Sequence, residues 1–395
     1  MSARRLTVTL LALTALFGQL LSGQALFAQP VSFGEPLEGL PAGLAAAFEE
    51  GRQRFAMEET PAIGLGPLYS ARSCGACHTV PALAGSAARP DAFTVRFGRQ
   101  TPGQPFDPLL NAGGPSQERL SVAGELEDCH LAAEVVPSEA NAVGLRQPLP
   151  LFGLGLIQAI PETTILARAD PDDSDGDGIA GRAHASHGLL GRFGWKAAVA
   201  SIADFVGRSL VGELGITNFL YSYEPAPQGG PIPSACRIAA DIEDFDASRL
   251  AGMTAFLSFM SAPPRGPITE AARRGETLFA QVGCAGCHTP VMKTGPSSTA
   301  GLNLVDVPLY SDLLTHDMGA ALDDGIAEGS AEGRRWRTPP LWGLRVRRFY
   351  LHDGRTSDLA SAIALHGGEA GRSRDGFAAL SAAQQADLVA FLRSL

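Results

Sequence analysis

"CGACH" at residues 74–78 returns as "CAGCH" at residues 284–288, and a threonine follows each copy. The repetition extends outward in both directions. Upstream, "EEGRQRF" (49–55) and "RRGETLF" (273–279) both set a glycine four residues before a phenylalanine, Gly51 with Phe55 and Gly275 with Phe279. Downstream, "RLAGMTAFLSFM" (249–260) and "QQADLVAFLRSL" (384–395) share Ala-Phe-Leu and set Met253 opposite Leu388. Apolar residues in these segments recur at helical spacing. Each unit therefore reads as an opening helix, a CxxCH motif, an irregular middle and a closing helix.

"SAPPRGP" (261–267) separates the two units, because Pro263, Pro264 and Pro267 forbid continuation of the closing helix. The expected organisation is a first domain at 29–263 and a second at 268–395. The first is longer by an insertion rich in Gly, Pro and Asp between about residues 80 and 245, where strand signals are weak.

The chain of 395 residues is 45% hydrophobic and 18% charged, with 46 Gly and 28 Pro, which describes a globular, loop-rich protein long enough for two domains. Its net charge of −10 argues against nucleic acid as a partner and suits a basic electron-transfer protein. Arg4 and Arg5 precede an uncharged apolar run, residues 6–21, and a small, polar stretch after it. That pattern is a signal peptide over residues 1–28, with cleavage expected after Ala28 or Ala25. The alternative is an uncleaved anchor, so membrane contact is expected through this segment alone. Gly18, Gln19 and Gln24 interrupt the run before it reaches the roughly 20 residues a span requires. In either case the bulk of the chain is exported, with the periplasm as the expected location.

Export constrains the six cysteines, because free thiols do not persist in an oxidising compartment. Four sit in the CxxC pairs, which leaves Cys129 and Cys236 to each other by elimination. For CxxCH itself three chemistries compete. A redox dithiol needs a βαβ setting that neither site has. Zinc needs four ligands, and a His directly after the second Cys is not its usual spacing. In c-type haem attachment the two cysteines form thioethers and the adjacent His becomes the proximal iron ligand. Duplication, export and the flanking helices favour two covalently bound c-type haems, at Cys74, Cys77 and His78 and at Cys284, Cys287 and His288. The fold class that follows is mainly α, with two cytochrome c-like haem domains in tandem.

"GPLYSARSCGACHTVPALAG" (66–85), "LPLFGLGLIQAIPE" (149–162), "DSDGDGIAGRAH" (173–184), "GRFGWKA" (191–197), "ELGITN" (213–218), "YSDLLTHDMG" (310–319), "WRTPPLWGL" (336–344), "FYLHDGR" (349–355) and "AIALHGGEA" (362–370) resemble the exported di-haem oxidoreductase family labelled "putative peroxidase", often named thiol oxidoreductases. The resemblance covers nearly all of the mature chain. More distantly, the order of elements is similar to that of the bacterial di-haem cytochrome c peroxidases. It implies a Trp between the haems at Trp195 and an acid and base over an open iron at Glu213. Where the peroxidases carry a Met ligand after "HxG", this chain has His366, which the resemblance implies as the second haem's distal ligand. His184 and His187 lie near the place of a displaceable distal His. His316 and Met318 suit a haem edge, His130 reads as structural, and Met253 and Met260 fall on a closing-helix pattern that reads as core.

"DSDGDG" (173–178) sets Asp173, Asp175 and Asp177 at positions 1, 3 and 5 of a calcium loop, with His184 where a bidentate Glu would stand at position 12. Together these features lead to an exported di-haem enzyme that reduces peroxide with electrons from a small donor protein. The alternative is a di-haem electron-transfer cytochrome without peroxidase activity, serving periplasmic iron uptake or thiol redox chemistry.

Overall fold

The two opening helices and the two closing helices pair with each other, and everything else is arranged around those two crossings. The structure, a computed structural model, describes residues 32–186, 188–238 and 247–395. The signal peptide at 1–28 and His187 lie outside the described residues. The described helices of more than one turn are α1 (Ala42–Ala56), α2 (Leu154–Ala159), α3 (Glu162–Leu166), α4 (Ile202–Leu214), α5 (Ala247–Phe259), α6 (Glu270–Gln281), α7 (Leu359–Ala364), α8 (Gly371–Ala378) and α9 (Ala382–Leu392). Helix outweighs strand, 34% to 13%, and the described strands form only two-stranded ribbons. The chain is thus helix-rich, with no extended sheet among the described residues.

Local chemistry explains where these helices begin. Thr269 accepts from Ala272 N at 3.1 Å to start α6, Ser201 accepts from Asp204 N at 3.1 Å to start α4, and Ser381 with Gln384 forms a capping box on α9. Helix α4 stops at Gly215, whose φ of 64° ends the helical run in a left-handed cap.

The repeated glycines set the depth of both crossings. A Cβ on Gly51 would meet the Gly252 carbonyl oxygen at 1.9 Å, and one on Gly275 would meet the Asp387 oxygen at 2.0 Å. Only glycine lets α1 lie this close to α5, and α6 this close to α9. The phenylalanines one turn later meet the partner helix and the motif histidine together. Phe55 packs at 5.3 Å from Phe256 and 6.0 Å from His78, and Phe279 at 5.2 Å from Phe391 and 6.2 Å from His288. All four phenylalanines are buried, each adding about 1.5–3 kcal/mol of apolar transfer energy. The internal repeat read from the sequence is a repeat in space.

Two hydrophobic clusters follow. The larger runs from Leu37 to Trp342 and takes in Met292, Val307 and Leu309, while the smaller gathers Phe279, Leu388 and Phe391. Segment 261–267 is irregular, as its prolines require. Between about residues 80 and 245 the chain builds α2 to α4 and a ribbon of Thr94–Gly98 against Ala142–Arg146. Cys129 and Cys236 form the disulfide expected by elimination, joining residues 107 apart in sequence. Among the described residues no helix is long and apolar enough to cross a membrane.

Candidate functional site

Two cavities open beside the two CxxCH turns. The first, about 340 Å³, is lined by Cys74, Cys77 and His78, by Phe55, Phe152 and Phe205, and by Glu213. The second, about 180 Å³, is lined by Cys284, Cys287 and His288, by Phe279, Leu341 and Leu344, and by His366. Each pair of cysteines brackets a single helical turn, Cys74–Ala76 and Cys284–Gly286, so that both thiols and the following His face one space.

None of the four motif cysteines takes part in a disulfide. Burial pushes Cys74 and Cys284 up to about 12 and Cys77 up to about 11, with Glu213 adding to the rise at Cys74 and Cys77. A reactive dithiol is favoured by the opposite shift, so the surroundings do not activate these cysteines as thiolates. Cys287, Asp312 and His316 lie close enough together to hold a metal, but His316 spends both ring nitrogens on carboxylates, Nε2 on Asp312 and Nδ1 on Glu369, each at 2.8 Å. Burial works against a charge on that ring, yet Asp312, Cys287 and Glu369 hold it well above its ordinary value. His316 and Met318 line the second cavity, as a haem edge would require.

The motif histidines are prepared as ligands. His78 donates from Nδ1 to the Gly85 carbonyl at 2.8 Å, and His288 from Nδ1 to the Tyr310 carbonyl at 3.0 Å. Burial pulls both down to about 4, which keeps the rings neutral. With Nδ1 committed, each ring offers Nε2 to a metal. His366, just beyond the end of α7, repeats the arrangement by donating from Nδ1 to Ala362 O at 2.8 Å, and burial lowers its pKa too. The second cavity therefore presents His288 and His366 as neutral imidazoles, while His352 in the same lining stacks on Trp336 and His316 is held by Asp312 and Glu369. A planar macrocycle with an iron at its centre fits this donor set and the apolar walls.

The first cavity is lined by an acid, Glu213. Glu213 stands near the end of α4, whose last turn is tied to the chain before the CxxCH motif by Ser70 N and Ala71 N, both donating to the Glu213 carbonyl at 2.8 and 3.3 Å. Its carboxylate lies 3.5 Å from Thr94 Oγ1. Burial raises it to about 7 against the pull of Arg96 and Arg119. Met253 also lines this cavity, from the closing helix at the position that Leu388 holds in the second.

Trp195 lines both cavities, as does Gln147, whose carbonyl accepts the indole N–H at 2.9 Å. Trp195 meets Trp336 and His352 edge-on at 6.4 Å each, and those two rings stack at 3.7 Å. Lys196 Nζ lies 3.8 Å over the Trp336 ring while donating to the Glu332 and Gly333 carbonyls at 2.7 Å.

Residues 131–395 match the family described as "Di-haem oxidoreductase, putative peroxidase". The chain belongs to that family. The match begins after the first CxxCH, whose surroundings repeat those of the second. No curated protein matches the chain. Among solved structures, the hydrazine synthase of Kuenenia stuttgartiensis is similar over 100% of both chains at 16% identity and a TM-score of 0.42. A MauG-like protein associated with microbial copper homeostasis is similar over 93% of this chain and 94% of its own, at 15% and 0.41. The diheme peroxidase BthA from Burkholderia thailandensis is similar over 89% and 86%, at 16% and 0.41.

The remaining expectations fall into place around the oxidoreductase's cavities. His184 lies outside both linings: its ring is buried, donates from Nδ1 to Lys196 O at 2.8 Å and packs against Gly329. His130 is exposed, and Met260 is core. In the acidic loop the structure gathers Asp170, Asp173 and Asp175, while Asp177 Oδ1 accepts from Ile179 N at 2.8 Å. Asp170 was missed because it precedes the motif's first position. Also missed were Arg337 and Arg347, each lining both cavities. Their signal was available in "WRTPPLWGLRVRRFY" (336–350), an apolar run that arginines interrupt.

Proposed function

We propose that this di-haem oxidoreductase is an exported, periplasmic c-type enzyme that reduces peroxide with electrons from a small donor protein. A difference between the cavities carries the reading: in the second, His288 and His366 are two imidazoles each bonded only through Nδ1 to a carbonyl, while in the first the carboxyl of Glu213 lines the space that His78 faces. Cys74, Cys77, Cys284 and Cys287 would hold the two haems as thioethers, with His78 and His288 as proximal ligands and His366 as a distal one. Bound there, the haem irons supply the one-electron chemistry that peroxide reduction needs.

The chain's own residues do the rest. His366 and His288 would both hold the iron of the second group, which suits that site to electron transfer. Trp195 spans from that site to the first. Glu213, with its carboxyl near neutrality, takes the proton from one peroxide oxygen and returns it to the other, so that the bond between them breaks with water as the product. Two further protons from solvent, with the two electrons, complete the second water. The acidic loop at Asp170, Asp173, Asp175 and Asp177 would bind calcium and order the chain ahead of Trp195.

Optical and EPR spectra of the as-isolated and half-reduced protein test the reading. A high-spin haem that appears on partial reduction, together with peroxide turnover, is expected. Two low-spin haems in both states without turnover would leave an electron-transfer cytochrome.

A further inference from the structure

Among the described residues neither Arg337 nor Arg347 forms an ion pair with a carboxylate. Arg337 is 5% exposed; its Nε donates to Gly194 O at 2.7 Å and its Nη1 to Thr338 O at 3.5 Å. Arg347 donates from Nη2 to Pro340 O at 2.8 Å and to Trp342 O at 3.5 Å, and its Nε is buried with no partner. All these acceptors are neutral carbonyls. The carboxylate that acts on Arg337 is Asp312, which His316 already engages at 2.8 Å, and the cation that acts on it most is Arg347 itself. Burial draws both guanidinium groups down to about 10, where they are still charged at neutral pH.

Two neighbouring cations, Arg337 buried and Arg347 half-buried with its Nε out of solvent, are costly unless an anion joins them. Phenylalanines, leucines and tryptophans line the spaces these arginines face, so the missing anion must be carried on an apolar body. A haem answers both demands, because its macrocycle is apolar and one edge carries two carboxylates. Guanidinium groups bind carboxylates through paired, parallel N–H donors.

We propose that Arg337 and Arg347 are shared propionate anchors, pairing with carboxylates from the cofactors of both cavities and so forming one electrostatic element common to the two haems. The inference rests on the di-haem reading above and goes beyond it by assigning the charged edge of each group.

The experiment uses the full chain purified with its cofactors, and haem content is measured first. Chain carrying no haem would overturn the di-haem reading and this proposal with it. With two haems present, spectroelectrochemical titration of Arg347→Met is expected to show both midpoint potentials shifted downward, since loss of a cation favours the more positive iron. Arg347→Lys should restore much of the shift. Unchanged potentials, or a shift confined to one haem, would overturn the shared role. Should the Met variant not accumulate, resonance Raman spectra of Arg347→Lys decide the matter: displaced propionate bending bands support the anchor, and bands identical to wild type refute it.

Discussion

The indole N–H of Trp195 donates to the Gln147 carbonyl at 2.9 Å, and both residues line both cavities. The hydrogen bond fixes an aromatic ring between two sites that approach each other at no other described aromatic residue common to both linings. Replacement by Phe keeps a ring but loses the donor. Trp195→Phe should retain both haems, lose about 1 kcal/mol of stability, and slow inter-haem electron transfer by about tenfold, ~1.4 kcal/mol on the barrier. Stopped-flow reduction monitored at both haems measures it.

Glu213→Gln should reduce peroxide turnover by about 10²–10⁴. Burial raises the carboxyl from 4.5 to about 7, so wild-type turnover should climb as pH passes through 7, and the variant's profile should be flat there. Stability moves the other way. A carboxyl whose folded pKa is raised binds more protons folded than unfolded, so its contribution falls as pH rises from 4.5 to about 7. Glu213→Gln should therefore have a higher Tm than wild type at pH 8 and the same Tm below pH 4. Equal Tm values at both pH extremes would show that the carboxyl is not held in this state.

His366→Met substitutes a thioether at the proposed distal position of the second haem. A thioether favours the reduced iron, so the midpoint potential of that haem should rise while the first stays in place. Redox titration followed by optical spectra reports both. If neither potential moves, His366 is not a ligand.

The helix crossings make a purely structural prediction. Gly275→Ala sets a Cβ into the Asp387 carbonyl, and Gly51→Ala sets one into that of Gly252; each should cost about 1–3 kcal/mol. Gly43→Ala lies in the same α1 helix with open space around its Cβ, and it should be neutral or stabilise by up to about 1 kcal/mol. Thermal denaturation of the three variants checks the contrast.

Calcium binding at the acidic loop should raise Tm on addition of Ca²⁺ and lower it on chelation. Asp173→Asn should remove the response. A Tm indifferent to both additions would make the loop a solvated turn.

What was legible in the sequence was local. CxxCH declares its chemistry in five residues, and Gly51 with Phe55 or Gly275 with Phe279 declares a helix face at a fixed period, so the paired helices and both motif histidines could be read directly. Cys129 and Cys236 followed from counting. Glu213, Trp195 and His366 needed resemblance, because a carboxyl on a helix looks the same whether it meets solvent or a cavity. Arg337, Arg347 and Asp170 stayed hidden for a third reason: their meaning depends on which charges the folded chain fails to bring near them, or brings near from before a motif. Sequence spacing does not encode that.

The disulfide between Cys129 and Cys236 spans 107 residues, while each CxxC pair closes a loop across two. Short loops close at lower entropic cost, so oxidation of the newly exported chain favours the local pairs over the distant one. Thioether attachment as proposed would need the reverse, with the distant pair oxidised and the four local thiols reduced until the thioethers form. Six cysteines in one compartment thus have opposite fates. On that proposal a thiol reductant would act on the CxxC pairs before haem attachment, and a host that only oxidises should yield a folded, crosslinked and colourless chain.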